Sequence, residues 1–278
     1  MQRLSIHQFT SFRWSFFQDV IKYSSLGFDS IGLWRSKVED YGIEESAQLL
    51  FEMQMSVSSL SWAGGFTGSD GKSFKLAVED AIEAIYQAHL FGAGKLIVHP
   101  GGRNSHTESH AIRLLKTAVT ELAPIANDLG VQLLLEPNCS KRNPWTFLTR
   151  PQQYIDLLNE FPESDLGLVI DLFHVGRSNN FFLSLPQLTN RIGLVQLSDG
   201  RFRRDEFVRC EFGNGIIRIQ DWLGALAANE YCGQYELEMH GFDFENANYE
   251  SLIQSSDSFI ENSFATLQPE VSATETTR

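Results

Sequence analysis

The sequence predicts an α/β fold, a single (β/α)8 (TIM) barrel, and three observations carry the prediction. Short apolar runs rich in Ile, Leu and Val alternate with longer segments of helical period almost to the end of the chain. This rhythm is that of parallel strands joined by helices, because a parallel pair needs a long crossover and a helix supplies it. Eight such units in 278 residues fit a closed barrel, whose usual size is about 250 residues. No Pro/Gly/Ser linker interrupts residues 1–267, which argues for one domain, and no GxGxxG turn follows the first strand, which counts against an open doubly wound sheet.

In chain order, residues 4–10 place Leu and Ile between polar neighbours, a strand pattern, and helical period follows over 16–26. Residues 30–34 and 56–62 are short runs bounded by polar segments, with a helix over 44–53 between them. The periodic segment 72–91 leads into a strand at 95–99, and 108–128 leads into 131–136 with its three consecutive leucines, Leu133, Leu134 and Leu135. Gly27, Gly92 and Gly130 each close a helical pattern by supplying the left-handed conformation a helix end needs, and a strand begins soon after each. A helix over 151–161 precedes the strand at 167–171. The last two strands are 193–197 and 235–238, with helices over 219–228 and 248–264; the link after Asp171 carries only a short helix over 181–189. Residues 268–278, rich in Ser, Thr and Glu, read as a disordered tail.

With 22 Lys+Arg against 35 Asp+Glu the formal charge is −13, so the surface repels phosphate backbones and no nucleic-acid partner is expected. The densest basic group, Arg201, Arg203, Arg204 and Arg209, is too short to reverse that. At 42% hydrophobic and 21% charged residues the chain has the composition of a folded globular protein rather than a disordered one. No apolar run approaches the roughly 20 residues that cross a bilayer, and residues 1–7 lack the apolar core of a signal peptide. The expectation is a cytoplasmic protein without a membrane partner. Cys139, Cys210 and Cys232, odd in number and without a CxxC pair, read as free thiols. Homo-oligomerisation is left open.

In a barrel, catalytic groups gather at the C-terminal ends of the strands. Polar residues collect there: Glu136, Asp171 followed by His174, Gln196, and Glu238. Two Glu, one Asp and one amide oxygen converging on one mouth call for a cation, because unpartnered buried carboxylates are costly. An oxygen-rich set suits Mg²⁺ or Mn²⁺, with Co²⁺ tolerated, more than Zn²⁺. Two glutamates around such a site can move a proton next to a polarised carbonyl. Trp14, Trp34 and Trp62, near early strand ends, offer an apolar wall for a sugar face. His99 and His240 are candidates to line the pocket, and His7 is a weaker one.

These residues resemble the xylose isomerase-like barrel superfamily of sugar isomerases and epimerases, over nearly the whole chain. The resemblance implies a divalent metal held by Glu136, Asp171, the position of Gln196, and Glu238, with Glu136 and Glu238 as the catalytic carboxylates. It implies that His174 and Arg209 contact substrate, Arg209 preceding the Gly213-Asn214-Gly215 turn. Substrate is also expected to meet His99, His240 and Trp62. One departure stands out: the strand-seven frame His-x-x-Asp reads Gln196-Leu197-Ser198-Asp199 here. A glutamine keeps a carbonyl oxygen but loses the imidazole.

The same superfamily contains endonuclease IV-like enzymes, and Val98-His99-Pro100-Gly101 resembles their strand-four motif. Gln196 and Arg209 stand where further histidines would be needed, and the charge of −13 opposes DNA binding. The function expected is a divalent-metal-dependent sugar isomerase or epimerase acting through an enediolate on a small-molecule sugar or keto-sugar. The alternatives are a dehydratase of a keto-cyclitol, keto-sugar or dehydroshikimate-like substrate, and a non-catalytic sugar-binding barrel.

Overall fold

The computed structural model describes residues 4–139, 144–244 and 246–267. Its strands are β1 (Leu4–His7), β2 (Ser30–Trp34), β3 (Ser56–Gly64), β4 (Lys95–His99), β5 (Gln132–Leu135), β6 (Gly167–Asp171), β7 (Ile192–Leu197), β8 (Asp199–Arg203), β9 (Glu206–Cys210) and β10 (Gln234–Leu237). Eight of them close into a parallel barrel in the order β1-β10-β7-β6-β5-β4-β3-β2, and β8 and β9 form a separate antiparallel hairpin. Around the barrel lie α1 (Phe16–Ser25), α2 (Arg35–Tyr41), α3 (Ile43–Glu52), α4 (Phe74–Leu90), α5 (Glu108–Asp128), α6 (Pro151–Leu158), α7 (Leu172–Val175), α8 (Asn179–Leu188), α9 (Ile219–Ala228) and α10 (Tyr249–Ala265). The predicted single TIM-barrel domain is therefore observed.

Gly27, Gly92 and Gly130 have positive φ, 94°, 68° and 69°, as the helix ends required. Side chains on the outer face of the barrel interlock with the helices in one continuous core. The barrel interior divides into two halves. Ile97, Leu134, Val169 and Leu194 pack together on the β4–β7 side with Trp62 against them. On the β10, β1, β2 and β3 side the interior is lined by Ser5, Gly32, Ser58 and Ser59 around the fully buried Glu236. Strand register sets Asp171, Gln196, Glu236 and Ser5 side by side across four adjacent strands.

Three expectations are corrected. The first strand ends at His7, not residue 10, because Thr10 N–H donates back to His7 O and turns the chain. Helix α2 was not foreseen: two of its charged residues are buried, Lys37 on Asp19 at 2.7 Å and Arg35 on Asp80 at 3.2 Å. The β8–β9 hairpin was also missed, since its arginines and acids do not read as a strand pair. The predicted tail at 268–278 lies outside the described residues. No helix among the described residues is long and apolar enough to cross a membrane.

Candidate active site

Every sequence-predicted site residue lies at the C-terminal end of the barrel. Glu136 directly follows β5, Asp171 ends β6, Gln196 sits in β7 and Glu238 directly follows β10; His99 ends β4, His174 is in α7, Arg209 is in β9, and Trp62 is in β3. A chain of polar contacts links most of them. His99 Nε2 and His174 Nε2 each lie 3.2 Å from an oxygen of Glu136, and His174 Nε2 is 3.3 Å from Asp171 Oδ2. Arg209 Nη2 then bridges Asp171 Oδ2 at 3.0 Å and Glu238 Oε1 at 3.4 Å. Gln196 Nε2 donates to Glu238 Oε2 at 2.5 Å and to Glu236 Oε1 at 2.9 Å.

Secondary contacts hold these groups in place. Asn138 Nδ2 meets His174 Nδ1 at 2.9 Å, and Asp171 Oδ1 accepts from Phe173 N–H at 2.8 Å and Ser198 Oγ at 3.3 Å. The Arg209 guanidinium lies over the Phe173 ring, 4.1 Å from its centroid. Asp199, the last residue of the strand-seven frame, accepts N–H groups from Gly213 and Gly215 at 3.0 Å and from Ile217 at 3.3 Å, pinning that loop to the base of the hairpin. Arg209 thus pairs with Asp171 and Glu238 rather than with Asp205 or Glu211 close to it in sequence.

Aromatic side chains wall the mouth on two sides. Trp62 stands edge-on to His99 at 5.3 Å and to Trp145 at 4.9 Å. His240 stacks on Phe9 at 5.2 Å and Phe12 at 6.3 Å, both of which also contact Trp34. Trp14 is elsewhere, packed on Tyr23 and Tyr249. A cavity of about 860 Å³ opens at the opposite end of the barrel near Leu4, Phe28 and Tyr235 and is not part of this site.

The environment separates the two glutamates. Burial alone would raise the Glu136 carboxyl, but His99, His174 and Arg209 outweigh it and hold it down to about 2. Glu238 is pushed well above the carboxylate range by burial and by the charge of Asp171. His174 is lowered by burial but raised more by Asp171 and Glu136, so it gains basicity. Burial lowers His99 despite Glu136, and lowers His7 to about 3 and His240 to about 4.

One residue of the site was not foreseen, and one only weakly. Glu236, fully buried, accepts from Ser58 Oγ at 2.5 Å and Ser59 Oγ at 3.1 Å. The signal for it was present: residues two apart on a strand share a face, so Glu236 points inward with Glu238. His7, foreseen only weakly, has its Nδ1 3.8 Å from Glu238 Oε2 and its Nε2 3.0 Å from Ser61 Oγ.

A family model, the xylose isomerase-like TIM barrel, matches residues 20–260. The chain belongs to this family. No curated protein matches the sequence. Among solved structures, this xylose isomerase-like barrel superposes on protein SMc04130 from Sinorhizobium meliloti 1021 with a TM-score of 0.84 at 20% identity, over 94% of this chain and 98% of that one. It superposes on the IolI protein with a bound zinc atom at 0.82 and 18%, over 96% and 99%. An L-ribulose 3-epimerase superposes at 0.78 and 19%, over 96% of each chain. At these identities the likeness shows the fold.

Against a divalent ion, the four oxygen donors expected from sequence do not fit as they stand. The inward oxygens of Asp171 and Glu238 face Arg209, the other Glu238 oxygen faces the amide N–H of Gln196, and Glu136 faces two imidazoles. Two acidic/His clusters among the described residues do bring three ligand atoms within 4.8 Å of one another, Glu136 with Asp171 and His174, and His7 with Glu236 and Glu238. Among the described residues, two buried polar atoms of the site have no protein partner, Gln196 Oε1 and Arg209 Nε.

Proposed function

We propose that this chain is a sugar isomerase or epimerase that moves a proton next to a carbonyl through an enediolate. One observation carries the reading: Glu136 and Glu238 arrive from strands three apart around the eight-stranded mouth, with His174, Asp171 and Arg209 joining them. A substrate seated between the glutamates presents its α carbon to two carboxylates from different sides. One takes the α proton; the C–H electrons form the C=C bond of the enediolate, and the carbonyl oxygen takes up the negative charge. Return of a proton from the second glutamate on the opposite face gives the epimer. The opposite directions in which their surroundings shift the two glutamates, Glu136 down and Glu238 up, support that division of labour. His174 orients hydroxyls, and Trp62 with Trp145 packs against an apolar face of the sugar. Neighbours of the same fold include a protein named D-psicose 3-epimerase, solved with D-tagatose, which favours ketoses as the first substrates to try.

Proton NMR of L-ribulose, D-psicose, D-tagatose and keto-sugar relatives in D₂O tests the reading, with Mn²⁺ and with EDTA in parallel. Loss of an α-proton signal, with a product whose mass differs only by the deuterium taken up and not by a water lost, is the expected result. Glu136→Gln and Glu238→Gln should each slow exchange by about 10²–10⁴-fold, the usual worth of a general acid or base. Loss of water would make the chain a dehydratase, and sugar binding without exchange would make it a binding barrel. The cofactor implied by the resemblance, Mn²⁺ or Mg²⁺ on Glu136, Asp171, Gln196 and Glu238, is read from the Mn²⁺ and EDTA arms.

A further inference from the structure

Resting on the isomerase reading, we propose that Arg209 is the electrophile of this site: its guanidinium holds the place between Asp171 and Glu238 that a divalent cation would take, and its free Nε–H receives the carbonyl oxygen of an α-hydroxyketone, so that enolisation needs no metal.

The guanidinium is fixed from several directions. Nη2 is shared by Asp171 Oδ2 and Glu238 Oε1, the flat face rests on Phe173, and the backbone N–H donates to Asp243 Oδ2 at 3.3 Å. Arg209 is only 8% exposed, yet its Nε has no acceptor. A buried donor of a charged group left unsatisfied is costly, and a substrate oxygen satisfies it. Gln196 Oε1, in a residue 1% exposed, is the complementary case: an acceptor without a donor. These two residues address the two oxygens of the same Glu238 carboxylate. A ligand that offers an acceptor to Arg209 and a hydroxyl to Gln196, with its carbon skeleton against Glu238, is an α-hydroxy carbonyl compound.

The chemistry balances without a further reactant. The α proton passes to a glutamate, the C–H pair becomes the C=C bond, and the displaced C=O pair stays on oxygen as the enediolate anion. Fixed donors aimed at a developing oxyanion need no reorganisation during the step. A metal entering between Asp171 and Glu238 would have to expel the guanidinium from both carboxylates and leave it buried without a counter-ion. The substitution of an imidazole ligand by Gln196, which turns its N–H toward the carboxylates, belongs to the same rearrangement.

Two measurements decide it. In the first, EDTA-dialysed wild type and Arg209→Met are titrated with Mn²⁺ and the free-ion EPR signal is followed. The expected result is an undiminished signal with wild type and depletion with Arg209→Met. Equal binding by both proteins, or by neither, overturns the proposal. In the second, α-proton exchange is measured in EDTA: wild type exchanges, Arg209→Met is slower by about 10²–10³-fold, and Arg209→Lys recovers part of the rate because it keeps the charge without the planar fork. Exchange that appears only with Mn²⁺ overturns the proposal while leaving the isomerase reading intact. A panel in which nothing exchanges under either condition removes the isomerase reading, and the Mn²⁺ comparison still decides whether Arg209 occupies the cation position.

Discussion

At the residue scale, Gly32 is the clearest case of a side chain whose absence matters. A Cβ there would press on the Glu236 carboxylate and the His7 ring. Neither is a flexible surface group, since both are fully buried. Gly32→Ala should therefore destabilise the protein by about 1–3 kcal/mol, the usual cost of overpacking a core, visible as a lower urea midpoint. It should also disturb Glu236 and His7 together. The thiols give a second test. Cys232 is exposed, whereas burial and the charge of Asp199 push Cys210 up to about 11 and burial raises Cys139. An aromatic disulfide reagent should label Cys232 first, the half-buried Cys139 more slowly, and Cys210 only as the protein unfolds. Glu136, Asp171 and Glu238 were legible in the sequence because three carboxylates arrive separately at the ends of barrel strands, a coincidence that surface charge or helix capping does not explain. Glu236 was not picked out, although strand periodicity implied it, because a charge in the middle of a barrel strand reads as an outward-facing residue until the serines opposite it are known.

At the element scale, the helices and barrel strands were legible wherever apolar periodicity was strong, as in α5 and α9, whose bounds match the residues expected. Two of the failures share a cause. Helix α2 and the turn after β1 are stabilised by buried charge, not apolar burial: Lys37 Nζ reaches Asp19 Oδ2 at 2.7 Å and Ser11 O at 2.9 Å, while Gln8 Nε2 reaches Asp19 at 3.0 Å. A hydrophobic pattern cannot announce such a network. Removing one partner leaves the other buried and unpaired, so Lys37→Met should cost about 3–5 kcal/mol by urea denaturation. The double variant Asp19→Leu/Lys37→Met should recover only part of that loss, because Gln8 and Ser11 then lack their acceptor. The same network fixes the loop that carries Phe9 and Phe12 to His240, so the single variant should also loosen the aromatic wall.

At the scale of the whole molecule, the barrel is closed where β1 meets β10. Tyr235, buried there against Tyr231 and Phe264, ties β10 to the final helix. Tyr235→Ala should cost about 3–5 kcal/mol, the range for deleting a large buried aromatic. Far-UV CD and tryptophan fluorescence should shift together, since one continuous core surrounds the barrel. The closed parallel architecture was readable from the count of alternating units, but the division of its interior into an apolar and a polar half was not, because it depends on which small residues face Glu236 across strands. The β8–β9 hairpin has a further consequence. Arg209 rides on none of the eight staves, but on an insert whose base is tied down by Asp199 and whose face leans on Phe173. The positive charge of the mouth is therefore carried apart from the carboxylates it meets: the closed ring of strands places Asp171 and Glu238, and Arg209 reaches them from a hairpin that takes no part in closing that ring.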